Sequence, residues 1–217
     1  MPQHIVLLTG DREAPHLTRY LHTHRPGLRI DHAAACRQLD DLCRPGTLLI
    51  AFLTCEIVPA AILDRLERPA YNFHPGPPTC PGRYPESFAA YRGDTRFGAT
   101  AHVMLSRVDE GPIVGVEWFD VPPGTGQLAL GDLAYAASVR LLGRLGRRLV
   151  VDDAPLPVLP VSWSGRKTTL AQYDALREIA PGIDAEEFAR RLRGFGDNRD
   201  APPFVRLHGR RFALMPE

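Results

Sequence analysis

The sequence lacks most of the features by which a chain declares a large partner. Its 26 basic and 25 acidic residues leave a formal charge of +1, which gives no electrostatic reason to expect a polyanion, so bulk nucleic-acid binding is disfavoured. All the basic residues but Lys167 are arginines; we read that as a composition bias of the genome. No apolar run approaches the roughly 20 residues of a membrane span. Met1-Pro2-Gln3-His4 leads straight into an apolar strand without a basic n-region or cleavage site, so the expected location is the cytoplasm, away from membranes. The four cysteines, Cys36, Cys43, Cys55 and Cys80, form no C-x-x-C pair. Three fall in segments read as buried helix or strand, and reduced core thiols are expected. His4, His16, His22, His24, His32 and His208 have no metal-ligand spacing with carboxylates or cysteines, so no metal is expected. The first strand is not followed by G-x-G-x-x-G, which argues against a dinucleotide.

What is present is an ordinary globular composition of 217 residues, 44% of them hydrophobic. That suits one full domain over about 1–160 and a small appendix over 161–217. Short apolar runs at 4–9, 28–31, 47–53 and 71–74 alternate with helical stretches at about 13–24, 37–43, 59–66 and 87–92. This order predicts a doubly wound, mostly parallel α/β sheet. Strands at 97–105 and 113–121 and a long amphipathic helix at 127–151 follow. Arg140, Arg144, Arg147 and Arg148 are read as its solvated face. After the prolines at 155, 157 and 160 come helices at about 170–179 and 184–193, then a hairpin around His208-Gly209-Arg210. The hairpin's free edge could pair with another chain, so a homodimer is one expected arrangement.

Asn72 and His74 are two apart and therefore point to one side of a strand, which Pro75, Pro77 and Pro78 then end. Asp109 follows in a Val-Asp-Glu-Gly-Pro turn after the run Gly98-Ala99-Thr100-Ala101-His102. An imidazole, an amide and a carboxylate suit acyl transfer: the first two can donate to a developing oxyanion, while the carboxylate holds the imidazole's charge and takes a proton.

Asn72-x-His74-Pro75, Gly98-x-Thr100-x-His102 and Val108-Asp109-x-Gly111-x-Ile113, in this order and spacing, resemble the formyltransferases that use 10-formyltetrahydrofolate. That family includes the glycinamide ribonucleotide, methionyl-tRNA and amino-sugar transformylases. The resemblance spans about Ile5 to Leu159 and implies a Rossmann-like formyltransferase fold. It makes 10-formyltetrahydrofolate the formyl donor and cosubstrate, a small amine the acceptor, and Asn72, His74 and Asp109 the catalytic group, with His102 supporting Asp109. It also implies a folate pocket of Phe52, Leu53, Ile57, Val58, Ser106, Arg107 and Val108, and places Gly10, Arg12, Gly76 and Lys167 on the acceptor side. A plain strand-to-helix turn accounts equally for Gly10, and a solvent-facing side chain for Lys167. Where the family commonly has Ser-Leu-Leu-Pro after His-Pro, this chain has Gly76-Pro77-Pro78-Thr79-Cys80-Pro81, which bears on the acceptor more than on the chemistry. An amino sugar on a nucleotide is the expected acceptor, with N-hydroxyornithine, glycinamide ribonucleotide and methionyl-tRNA as alternatives. Methionyl-tRNA fits less well, since that branch carries a larger C-terminal domain. Hydrolysis of the folate, in a branch that generally carries a preceding regulatory domain, and non-catalytic folate binding are the readings of other classes.

Overall fold

In the computed structural model, residues 1–215 are described. Six strands form one sheet in the order β2-β1-β3-β4-β5-β6. They are β1 (His4–Leu8), β2 (Arg29–Ala33), β3 (Thr47–Phe52), β4 (Tyr71–His74), β5 (Arg96–Val103) and β6 (Ile113–Asp120). The first four run parallel, and β5 and β6 are added antiparallel. The doubly wound α/β architecture expected from the strand–helix alternation is therefore the one observed.

Strand alternation decides what lies on each face. Ile5, Leu7, Leu48, Ile50, Phe52, Tyr71 and Phe73 point to the face covered by α1 (Ala14–His24) and the long α5 (Gln127–Val151), meeting Leu17, Leu21, Leu141 and Leu149. Val6, Leu8, Leu49 and Ala51 point the other way, towards α2 (Leu39–Leu42) and the one-turn α3 (Ala60–Leu63). The helix expected up to residue 66 stops at Leu63. Of the cysteines, only Cys43 and Cys80 are buried; Cys36 is half-buried and Cys55 exposed, and all four are free thiols. On α5, Arg140 and Arg144 pair with Glu117 at 3.0 Å each.

Residues 161–215 carry α6 (Leu170–Arg177), β7 (Glu178–Ile179), α7 (Ala185–Phe195), β8 (Phe204–Leu207) and β9 (Arg210–Ala213), the strands forming a small second sheet. Asp184 caps α7 by accepting from the Glu187 N–H, and Thr169 caps α6, as their side chains allow. This segment does not stand apart. Its Tyr173 and Phe195 share a cluster with Phe88 of α4 (Pro85–Arg92), and it is bonded to the proline-rich loop through Ser164 N to Pro78 O, Thr168 N to Pro81 O and Arg83 N to Thr168 O, each at 3.0 Å.

Candidate active site

At β4 the parallel part of the sheet meets the antiparallel part; the loops leaving β3 and β4 and the turn after β5, which departs from the opposite end because β5 runs antiparallel, line one cleft. The cleft holds about 620 Å³. Asn72 and His74 face it because their neighbours Tyr71 and Phe73 are committed to the opposite core. The antiparallel register sets His102 directly across from Asn72 and Thr100 across from His74. A register shift between Ala101 and His102 on the β6 side turns the strand just before the site, a usual use of a bulge.

The polar groups form one connected cluster. His74 Nδ1 lies 3.9 Å from Asp109 Oδ2 and His102 Nε2 lies 3.5 Å from Asp109 Oδ1. The Gly82 N–H donates to Asp109 Oδ2 at 2.8 Å. Asn72 Nδ2 is 3.1 Å from His102 Nε2, whose other nitrogen sits 2.9 Å from Val103 O. A carbonyl can only accept, so His102 carries a proton on Nδ1, and its Nε2 lies between the Asn72 amide and Asp109 Oδ1. One amide hydrogen of Asn72 then remains for the cleft. By the same rule His74 donates Nε2–H to Cys80 O at 3.0 Å, which leaves Nδ1, on the Asp109 side, to exchange a proton.

Burial is the strongest influence on His74: at 6% exposure it pushes the imidazole below its ordinary value, against the opposing pull of Asp109 and the Cys80 carbonyl. The resting ring is neutral. For Asp109 burial pushes the carboxyl up, but His102, His74 and the Gly82 N–H together outweigh it and bring the carboxyl from 3.8 down to about 2. A depressed carboxyl adds stability that is full above its unfolded value and is lost as pH falls through its folded one. Asp109 is therefore expected to cost the fold about 2 kcal/mol between about pH 4 and about pH 2. The lowered His74 withdraws stability below the ordinary histidine value of 6.5, because the unfolded chain takes up that proton first. Urea midpoints between about pH 4 and about pH 2 should fall less steeply in Asp109→Asn than in the wild type; parallel curves there would refute the assignment.

The apolar wall is made by Leu53, Ile57, Val58, Leu63, Met104, Leu105 and Val108, with Arg107 at its edge. Phe52 is not part of it: it has the parity of Ile50, is fully buried beneath the sheet and tilts against Phe73. Ser106 is exposed outside the cleft lining. Gly10 and Arg12, at the end of β1, do not line the cleft either. Gly76 serves the histidine: a Cβ there would stand 2.6 Å from His74 Nε2 and 2.9 Å from Pro85 Cβ. Lys167 lies on the cleft rim, where its ammonium meets Glu110 Oε1 at 2.6 Å.

The sequence reading did not include Met104, Tyr84 and Glu86, which also line the cleft, or Trp163, whose indole stands against both site imidazoles. Burial raises the Glu86 carboxyl. A backbone signature does mark the place. Leu53, Tyr84 and Asp109, with φ of 51°, 55° and 51°, are left-handed non-glycine residues, and all three line this cleft. Such conformations cost of order 1–3 kcal/mol each and collect at working sites.

Fold and site together define a doubly wound α/β protein with an amide, an imidazole and a carboxylate clustered where the parallel part of the sheet meets the antiparallel part. No protein-family model matches the chain. A sugar N-formyltransferase from a Shewanella species shares the fold with a TM-score of 0.77 over 100% of this chain and 98% of that one, at 15% identity. A 4-N formyltransferase from Francisella tularensis gives 0.78 over 99% and 97%, also at 15% identity. An N-formyltransferase from Helicobacter canadensis, in complex with folinic acid and dTDP-3-aminofucose, gives 0.71 over 96% and 85% at 11% identity. At these identities the likeness establishes a common fold along the whole chain.

Proposed function

We propose that the chain is an N-formyltransferase that moves the formyl group of 10-formyltetrahydrofolate to the primary amine of a small acceptor, an amino sugar carried on a nucleotide. The observation that carries the reading is the convergence of Asn72, His74 and Asp109 in a cleft of about 620 Å³ whose other wall is apolar. The folinic acid and amino-sugar nucleotide held by the Helicobacter canadensis protein support both ligand classes.

In this mechanism the acceptor nitrogen bonds to the formyl carbon, and the carbonyl oxygen becomes an oxyanion that accepts the free Asn72 amide hydrogen. His74 Nδ1 takes the proton from the attacking nitrogen. The imidazolium so formed is held by Asp109 beside it. Collapse of the tetrahedral adduct breaks the bond to N10 of the folate, His74 returns the proton to that nitrogen, and the formamide and tetrahydrofolate leave. The sequence alone suggested a histidine protonated from the outset as oxyanion donor; its burial and the Cys80 bond favour a neutral base that gains its proton during the reaction.

The test is an incubation with 10-formyltetrahydrofolate and, separately, an amino-sugar nucleotide, N-hydroxyornithine, glycinamide ribonucleotide and no acceptor. Tetrahydrofolate release that requires one amine supports transfer. Equal release without any acceptor would replace this reading by hydrolysis, and folate binding with no release would replace it by a non-catalytic binder.

A further inference from the structure

Trp163 lies far along the chain from the catalytic strands, between α5 and α6, yet it stands edge-to-face against both site imidazoles. Its ring centroid is 5.7 Å from that of His74 at 77° and 5.1 Å from that of His102 at 88°. Its Nε1–H donates to Gly111 O at 2.9 Å, in the turn that carries Asp109. Its next neighbour is bonded back to the proline-rich loop through Ser164 N to Pro78 O. Three separate pieces of the site therefore meet on one indole: the β4 end, the β5 end and the Asp109 turn.

We propose that Trp163 is a positioning residue: it fixes the ring planes of His74 and His102 and keeps water from His74, which makes the 161–170 segment part of the reaction machinery. The physical reason is that a perpendicular aromatic contact restrains a ring's rotation, while the indole's bulk replaces solvent that would otherwise stabilise the imidazolium. The groups facing His74 are Asp109 from the turn, His102 from β5 and the Cys80 carbonyl from the loop, with Glu86, Arg83, Arg107 and Lys167 elsewhere on the cleft wall. Its effect on turnover rests on the formyl-transfer reading; the contact itself does not.

The sequence has two tryptophans, and Trp118, on β6, is partly exposed with Arg96 over its ring. In a Trp118→Phe background the emission of Trp163 alone can be followed from about pH 8 to about pH 4, through the ordinary histidine range and below it, the direction in which burial moves His74. Emission should fall as an adjacent imidazolium forms and quenches the indole, and His74→Asn with His102→Asn should abolish that transition. A flat profile, or one unchanged by the double substitution, would overturn the contact whatever reaction the protein performs. In kinetics, Trp163→Ala should lower kcat by roughly 10- to 10²-fold and move the acid limb of the rate profile up towards the ordinary histidine value, with KM for folate little changed. Trp163→Phe should keep the wild-type midpoint. A loss of rate in Trp163→Ala with an unmoved midpoint would reduce the tryptophan to packing.

Discussion

His74→Gln is expected to lower kcat for formyl transfer by about 10²–10⁴-fold, the range associated with a positioned proton-transfer group. Glutamine is the informative replacement. Its side-chain N–H can still reach for the Cys80 carbonyl that His74 satisfies at 3.0 Å, so the 75–85 loop keeps an anchor while the proton-accepting nitrogen beside Asp109 is lost. KM for folate should move little, because the apolar wall is untouched. A Gln variant within a few-fold of wild-type kcat would mean that the amine's proton leaves by another route. Asn72→Ala should cost about 10²–10³-fold if its amide is the oxyanion donor, and the two losses should not add, since both act on one tetrahedral adduct.

Gly111→Ala is the second large effect, and it acts through the backbone. A Cβ at Gly111 would stand 1.8 Å from Val103 O, an overlap that no side-chain rotation relieves. Val103 O is also the acceptor for His102 Nδ1, and Val103 N bonds to Pro112 O at 2.9 Å. Opening the turn to admit a methyl group would therefore move Asp109, His102 and the carbonyl that anchors Trp163 together. We expect a destabilisation of about 3 kcal/mol, at the upper end for overpacked sites, read as a lower urea midpoint, with activity falling further than the residual folded fraction explains. A variant with wild-type stability and rate would show that the turn is looser than its contacts imply.

Much of this site is legible in sequence because strand geometry is simple. Two polar residues two apart at the end of an apolar run, followed by prolines, can hardly be anything but a strand end with both groups on one face. The same rule explains the error at Phe52: it lies two residues from Ile50 and so belongs to the α5 face, whereas Ala51 looks into the cleft with Asn72. The resemblance proposed Phe52 with its loop, and parity places it on the other face of the sheet. Gly76 was assigned to an acceptor from its place beside His74, but the geometry gives it a steric duty to that ring. Lys167 could not be resolved from sequence because its partner, Glu110, is distant in the chain, and the two-residue β7 is too short to leave a pattern. Trp163 is the clearest case of information held only in tertiary structure. Nothing local distinguishes it, and its importance comes from a segment folding back over a turn some fifty residues earlier.

The most direct test of the site's assignment is to follow a ¹³C-labelled formyl group from 10-formyltetrahydrofolate in the presence of an amino-sugar nucleotide, comparing the wild type with His74→Gln. The expected result is label in a new formamide on the sugar nitrogen in the wild type and almost none with the variant. Label recovered only as formate, or transferred equally by both proteins, would contradict a formyl transfer run by His74.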